Sequence, residues 1–168
     1  MPERKTIERA RRDKREGKAP STQAGEFVRE EIEHIREGEH GARSAAQAIA
    51  IGLSKARRAG VKLPPPEKGK ASEQTRRNAE NALKAGEHPH AKPSPKRSRA
   101  VINALRREDS AAASELALAR QAKAASRKRS AADRSEAAEK AARTKGPEER
   151  SEAAQKAART RARHRSGG

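Results

Sequence analysis

Ser44-Ala45-Ala46-Gln47-Ala48-Ile49-Ala50-Ile51-Gly52-Leu53-Ser54-Lys55-Ala56-Arg57-Arg58-Ala59-Gly60-Val61 reads as one helix with both of its ends written into it. The Ser44 hydroxyl can accept the amide of Gln47, whose own side chain can reach back, which is a capping box. Gly60 stands where a left-handed C-cap belongs, and Val61 stands where the accompanying apolar contact belongs. Between these ends Ala45, Ile49, Leu53 and Ala56 recur at helical spacing and form an inner stripe. Just upstream, Phe27, Val28, Ile32 and Ile35 share a face of a helix over 26–37, and Gly38 and Gly41 punctuate the return. The expectation is a pair of antiparallel helices over 26–63.

That pair is 38 residues long. Units below roughly 40 residues usually need a disulfide, a metal or a partner. The chain has no Cys, so no disulfide can help. Ile51 lies almost opposite Ile49 on the second helix and cannot share its stripe. It points either to self-association through residues 26–63 or to a neighbouring helix.

Outward from the pair the pattern weakens. Residues 1–25 read as a charged N-terminal arm. Within it, 6–16 form a short helix with no apolar stripe beyond Ile7, which should fray. Gly17 stops it, and 18–22 read as a loop. Pro64-Pro65-Pro66 favours a polyproline II spacer and opens a Pro-containing linker over 64–93. A weak helix over 72–85 interrupts that linker and ends at Gly86, and His88-Pro89-His90-Ala91-Lys92-Pro93 closes it. Residues 94–168 form a basic Ala/Arg/Lys-rich tail. Ser94-Pro95 begins a helix by N-cap and Pro at N1, carrying Val101, Ile102 and Leu105. Asp109 or Ser110 can cap the next, which carries Leu116 and Leu118.

The tail holds an internal repeat. Arg134-Ser135-Glu136-Ala137-Ala138-Glu139-Lys140-Ala141-Ala142-Arg143-Thr144-Lys145 recurs 16 residues later, from Arg150 to Arg161, with ten of twelve positions identical. Glu136 precedes Lys140 and Glu152 precedes Lys156 by four residues, the favourable order on a helix. Each copy is too short to be a stable helix alone in water. The reading is a segment poised to gain helix when phosphates neutralise its basic groups.

Composition supports that picture. The net charge is +18, from 41 Lys and Arg against 23 Asp and Glu, and residues 94–168 hold +11 of it. Ile, Leu, Val and Phe total only 16 of 168 residues, well under the fifth at which a highly charged chain tends to disorder. The fold class expected is mostly α: a small antiparallel helical pair with long, partly disordered, conditionally helical basic extensions.

The segment 47–60, Gln-Ala-Ile-Ala-Ile-Gly-Leu-Ser-Lys-Ala-Arg-Arg-Ala-Gly, resembles a bacterial family of short basic proteins classed as a domain of unknown function. Gly25-Glu26-Phe27-Val28 and His34-Ile35-Arg36-Glu37-Gly38 are similar to it too, so the resemblance covers about 20–63. The part from Ser94-Pro95-Lys96-Arg97-Ser98-Arg99-Ala100 onward looks like extensions in the same family. It also resembles the Lys/Ala-rich tails of linker-histone-like proteins. The family implies no known activity and lends no functional residues.

A chain this basic attracts polyanions. The residues expected to meet phosphates are Lys55, Arg57, Arg58 and Lys62 at the end of the second helix, then Lys96, Arg97, Arg99, Arg106 and Arg107. Further on come the triplet Arg127-Lys128-Arg129 and the recurring Arg143, Lys145, Arg159, Arg161 and Arg163. Phosphate neutralisation releases condensed counterion and drives sequence-independent binding. Arg outnumbers Lys 26 to 15, which suits phosphate pairing, although a GC-rich genome also inflates Arg and Ala. Phe27 is the only aromatic residue, which argues against base-stacking readers, and no base-reading module is recognisable.

No catalytic motif occurs, so the expectation is a non-enzyme without cofactor. Its partner is a nucleic acid, DNA favoured over RNA, and its setting is the cytoplasm and nucleoid. No metal site is expected either: His34, His40, His88 and His90 read as loop or surface histidines. Met1-Pro2-Glu3-Arg4-Lys5 leads into a charged stretch with no apolar core, unlike a secretory signal. Membrane binding is not expected, because the stripes of the tail are alanine. Two alternatives stay open: a protein-interaction adaptor built on 26–63, and an RNA- or ribosome-associated basic protein.

Overall fold

Three glycines set the first chain reversals. The computed structural model describes residues 2–87, 94–144 and 146–166. In it Gly17, Gly38 and Gly60 have φ of 72°, 78° and 89°, a region that a Cβ makes costly. Each follows a helix: α1 (Arg4–Arg15), α2 (Pro20–Arg36) and α3 (Ala45–Arg58). Each also completes a Schellman motif, in which the amide after the glycine returns to a carbonyl in the last turn. Lys18 donates to Asp13 at 2.9 Å, Glu39 to His34 at 3.0 Å and Val61 to Ala56 at 3.1 Å.

The start of α3 is capped as its sequence predicts, with one shift. Ser44 Oγ accepts from the Gln47 amide at 3.2 Å, and Gln47 Oε1 accepts from the amide of Arg43 at 2.9 Å, one residue before the cap. The buried stripe of α3 is Ala45, Ala48, Gly52 and Ala56, while Ile49, Ile51 and Leu53 are half-buried. The small residues face α2 because the two backbones approach closely there. A Cβ on Gly52 would stand 2.7 Å from Val28 Cα and 3.0 Å from the Phe27 carbonyl oxygen.

The helical pair is not left to itself. Among residues 1–122, α1 packs on α2, helix α4 (Glu73–Glu87) packs on α3, and a 3-10 turn (Ser110–Ala113) packs on both α2 and α3. Helix α1 has no stripe of large apolar residues to hold it. Instead α1 buries Thr6, Ala10 and Asp13, and the Glu3 amide donates to Glu30 Oε1 at 2.9 Å. The loop expected over 18–22 is shortened, since Pro20 stands at the first position of α2, where its missing N–H costs nothing. Residues 64–93, read as a linker, contribute α4, which buries Ala79 and Ala82. Gly86 permits the approach: a Cβ there would overlap the Arg57 carbonyl.

Two apolar clusters result. One joins Phe27, Ala24, Ala10, Ala56 and Val61, with Ile7, Leu53 and Leu63 against it. The other joins Ile32, Ile35, Ala42 and Ala48 to Ala112 and Ala113, with Val28 and Leu118 against it. The 3-10 turn is held by polar bonds too. Arg36 Nε donates to the Ala113 carbonyl at 2.9 Å. The amides of Gly41 and Ala42 donate to the carbonyls of Leu105 and Asp109 at 2.9 and 3.1 Å. Asp109 Oδ1 caps the turn through the Ala111 amide at 2.9 Å. Helix α5 (Pro95–Leu105) buries no residue.

Residues 123–168 form a second unit. It comprises the end of α6 (Glu115–Arg127), then α7 (Ala131–Thr144) and α8 (Pro147–Ser166). The first repeat falls in α7 as far as Thr144, and the second falls in α8. Ser130 opens α7 with a reciprocal cap, its Oγ accepting from the Asp133 amide and Asp133 Oδ2 accepting from the Ser130 amide, both at 3.0 Å. None of the side chains described in this unit is buried. The protein is thus mostly α, and among the described residues the only bridge is the isolated pair Lys68–Ala71.

Candidate nucleic-acid interface

The basic residues singled out in the sequence divide into two groups. Lys55 and Arg57 turn inward. Lys55 Nζ lies 2.6 Å from Glu31 Oε2, a carboxylate with no solvent exposure. Arg57 is itself buried. Its Nε donates to the Leu63 carbonyl at 3.0 Å and its Nη2 to the Pro64 carbonyl at 3.0 Å. Burial lowers the Arg57 pKa from its ordinary value. The expectation that these two meet phosphates is corrected: one neutralises a buried acid, and the other ties the proline segment to α3.

Arg58 and Lys62 remain exposed at the end of α3. Lys96, Arg97 and Arg99 are exposed on α5, and Arg106 and Arg107 are exposed after it. Arg99 Nε donates back to the Pro95 carbonyl at 3.4 Å, inside its own helix. In the second unit Arg127, Lys128, Arg129, Arg143, Arg159, Arg161 and Arg163 are exposed. Arg143 stands 3.6 Å from Glu139 with both side chains largely in solvent, an arrangement worth little. Lys145, His88 and His90 lie outside the described residues. Among the described residues no carboxylate pairs with Arg58, Lys62, Lys96, Arg97, Arg106 or Arg107.

Helix α1 offers a further basic face, outside the residues expected from the sequence. Its buried side carries Thr6, Ala10 and Asp13. The opposite side therefore presents Arg4, Lys5, Arg11, Arg12 and Arg15, all exposed, with Glu8 among them. The available signal was the spacing of small and short polar residues, which stand at positions three and four apart.

Of the histidines read as loop or surface groups, His40 lies in the loop after α2 but is buried, and His34 lies on α2. His40 is 8% exposed and His34 is half-buried. Both stand beside the buried acids Glu30 and Glu31.

Residues 1–122 form one helical unit and residues 123–168 another, and the described helices of the second carry exposed basic side chains. Residues 3–68 match the model of a family described as "Family of unknown function (DUF6496)". No curated protein and no solved structure matches the chain. The matched span takes in α1, α2 and α3 and ends before α4. Among the described residues no helix is long and apolar enough to cross a membrane.

Proposed function

We propose that this chain is a non-catalytic nucleic-acid-binding protein that grips phosphates with little base selectivity. The reading prefers DNA to RNA and a nucleoid setting. The observation that supports it is the net charge of +18 combined with Arg and Lys displayed on α5 and on the helices of 123–166, where no described side chain is buried. Such helices have no packing role to explain their composition. Each phosphate neutralised releases counterion, so affinity follows salt steeply.

The test is fluorescence anisotropy of the full chain on duplex DNA and on a structured RNA, titrated across salt. For ~10 contacted phosphates, log K against log salt falls with a slope near −9. Absence of binding to either polymer at low salt overturns the reading, and preference for the RNA moves the protein to the ribosome-associated alternative. The adaptor alternative drew on the marginal size of an isolated pair. Helices α1 and α4 and the 3-10 turn now cover much of that pair, which weakens its motivation.

A further inference from the structure

Glu31 and His40 face each other across a gap that hydrogen bonding does not fill. Glu31 is fully buried, and neither of its oxygens has an aligned hydrogen-bond donor. Lys55 stands against Oε2, which leaves Oε1 directed at His40 Nε2 at 3.5 Å. The other nitrogen of His40, Nδ1, lies 3.1 Å from the Gly41 carbonyl oxygen. A carbonyl only accepts, so Nδ1 carries the hydrogen. In the neutral ring Nε2 then turns a lone pair to a carboxylate oxygen, an arrangement that a cation between them, a proton or a metal ion, would relieve. A hydrogen bond between the two atoms would draw them to about 2.7–2.9 Å. Two ligands held about 2.0–2.1 Å from one tetrahedral zinc stand roughly 3.4 Å apart, close to the separation seen.

We propose that Glu31, His34 and His40 form a site for a divalent transition-metal ion of the zinc class. One nitrogen of His34 completes the set, with the three ligand atoms all within 4.8 Å of one another. The two rings meet edge to face with centroids 6.4 Å apart, so a small swing of His34 closes the third side. The mix of two imidazoles and one carboxylate is a recognised zinc donor set. The Gly41 carbonyl and Lys55 supply the outer contacts that orient a histidine ligand and fix a carboxylate ligand. The fourth position falls to water or to Glu39, whose Oε2 is 3.7 Å from His34 Nδ1. Of the three ligands His40 also lines an open pocket of about 240 Å³, with Gly38, Gly41, Arg106, Glu108 and Asp109. Bound to all three, the ion would tie the end of α2 to the loop between α2 and α3. The site is independent of phosphate binding.

The test uses the full chain freed of metal. Calorimetric titration with zinc sulfate is expected to show one saturable site, and zinc is expected to raise the melting temperature. The H34Q variant, altered at a half-buried position, should lose at least about tenfold in affinity along with the thermal shift. The H88Q/H90Q double variant should bind as the parent does. Cobalt(II) added to the parent chain should show the visible d–d absorption of a four-coordinate ion, a readout that needs no variant to fold. The proposal is overturned by absence of saturable binding up to millimolar zinc, by equal binding in H34Q and the parent, or by loss of binding only in H88Q/H90Q. A cobalt spectrum indistinguishable from the free aqua ion overturns it as well.

Discussion

Gly52 of α3 rests against Val28 of α2 so closely that a Cβ on the glycine would stand 2.7 Å from the valine Cα. The atom in the way is backbone, so it cannot swing aside as a side-chain tip would. Gly52→Val therefore forces the two helices apart. Overpacking of this kind costs about 1–3 kcal/mol, and a branched residue gains only part of the helix propensity that leaving glycine offers. A lower urea midpoint with unchanged slope is the expected result.

Lys55 and Glu31 form a second sensitive pair. Removing the ammonium alone leaves a fully buried carboxylate without its nearest positive charge. Lys55→Met should destabilise by about 3–5 kcal/mol. The Lys55→Met/Glu31→Gln double variant should recover much of that loss, and a double-mutant cycle in denaturant reads the difference.

Arg57 and Arg58 are neighbours in sequence with different tasks. Arg57→Ala removes two charged hydrogen bonds to the 63–64 segment, and about 1.5–3 kcal/mol of stability should go with each one lost. Arg58→Ala together with Lys62→Ala should leave the melting temperature unchanged. If both cations meet phosphate, that variant flattens the salt slope by about two.

Truncation separates the two units. Deleting residues 123–168 removes +8 of the net charge and no buried side chain among those described. Cooperative unfolding of the remainder should survive nearly intact, whereas affinity for duplex DNA should fall and the salt slope flatten. Far-ultraviolet circular dichroism of the full chain should gain helix when duplex DNA is added, and that gain should vanish with the deletion.

Helix α4 should respond to acid at its first turn. Arg76 hydrogen-bonds Glu73 and holds its carboxyl below the ordinary pKa. A carboxyl depressed in the fold stabilises it above the unfolded pKa of about 4.3, and the contribution is lost as pH falls through the folded value. The protection factors of the amides at the start of α4, with the intrinsic pH dependence of exchange divided out, should therefore fall as pH drops below that range. Glu73→Gln should remove the response.

The parts of this structure legible in the sequence are the local ones. The Ser44 cap and the Gly60–Val61 ending follow from residues within a turn of one another, and both appear as read. What was missed depends on residues far apart in the chain. Ile49 ranked as a stripe residue because of its size, yet Gly52 and Ala48 take the inner face, since close backbones favour small side chains. Alanines carried α1, α4 and the 3-10 turn into the packed unit, although alanine is a weak signal of burial. Lys55, Arg57 and His40 looked like surface groups because charge and polarity normally mean solvent. Only the approach of α2 and of the proline segment gave them buried partners.

The bond from Arg36 to the Ala113 carbonyl spans 77 residues, and this has a consequence for the order of events during synthesis. Contacts of α1 with α2, of α2 with α3 and of α3 with α4 close short loops and form quickly. As the chain leaves the ribosome, the segments of all four helices emerge before residues 110–113 do. Until then Ile32, Ile35 and Ala48 lack their cover from Ala112 and Ala113. If α1 to α4 pack as they emerge, the nascent protein carries an open apolar cleft until the 3-10 turn arrives to shut it.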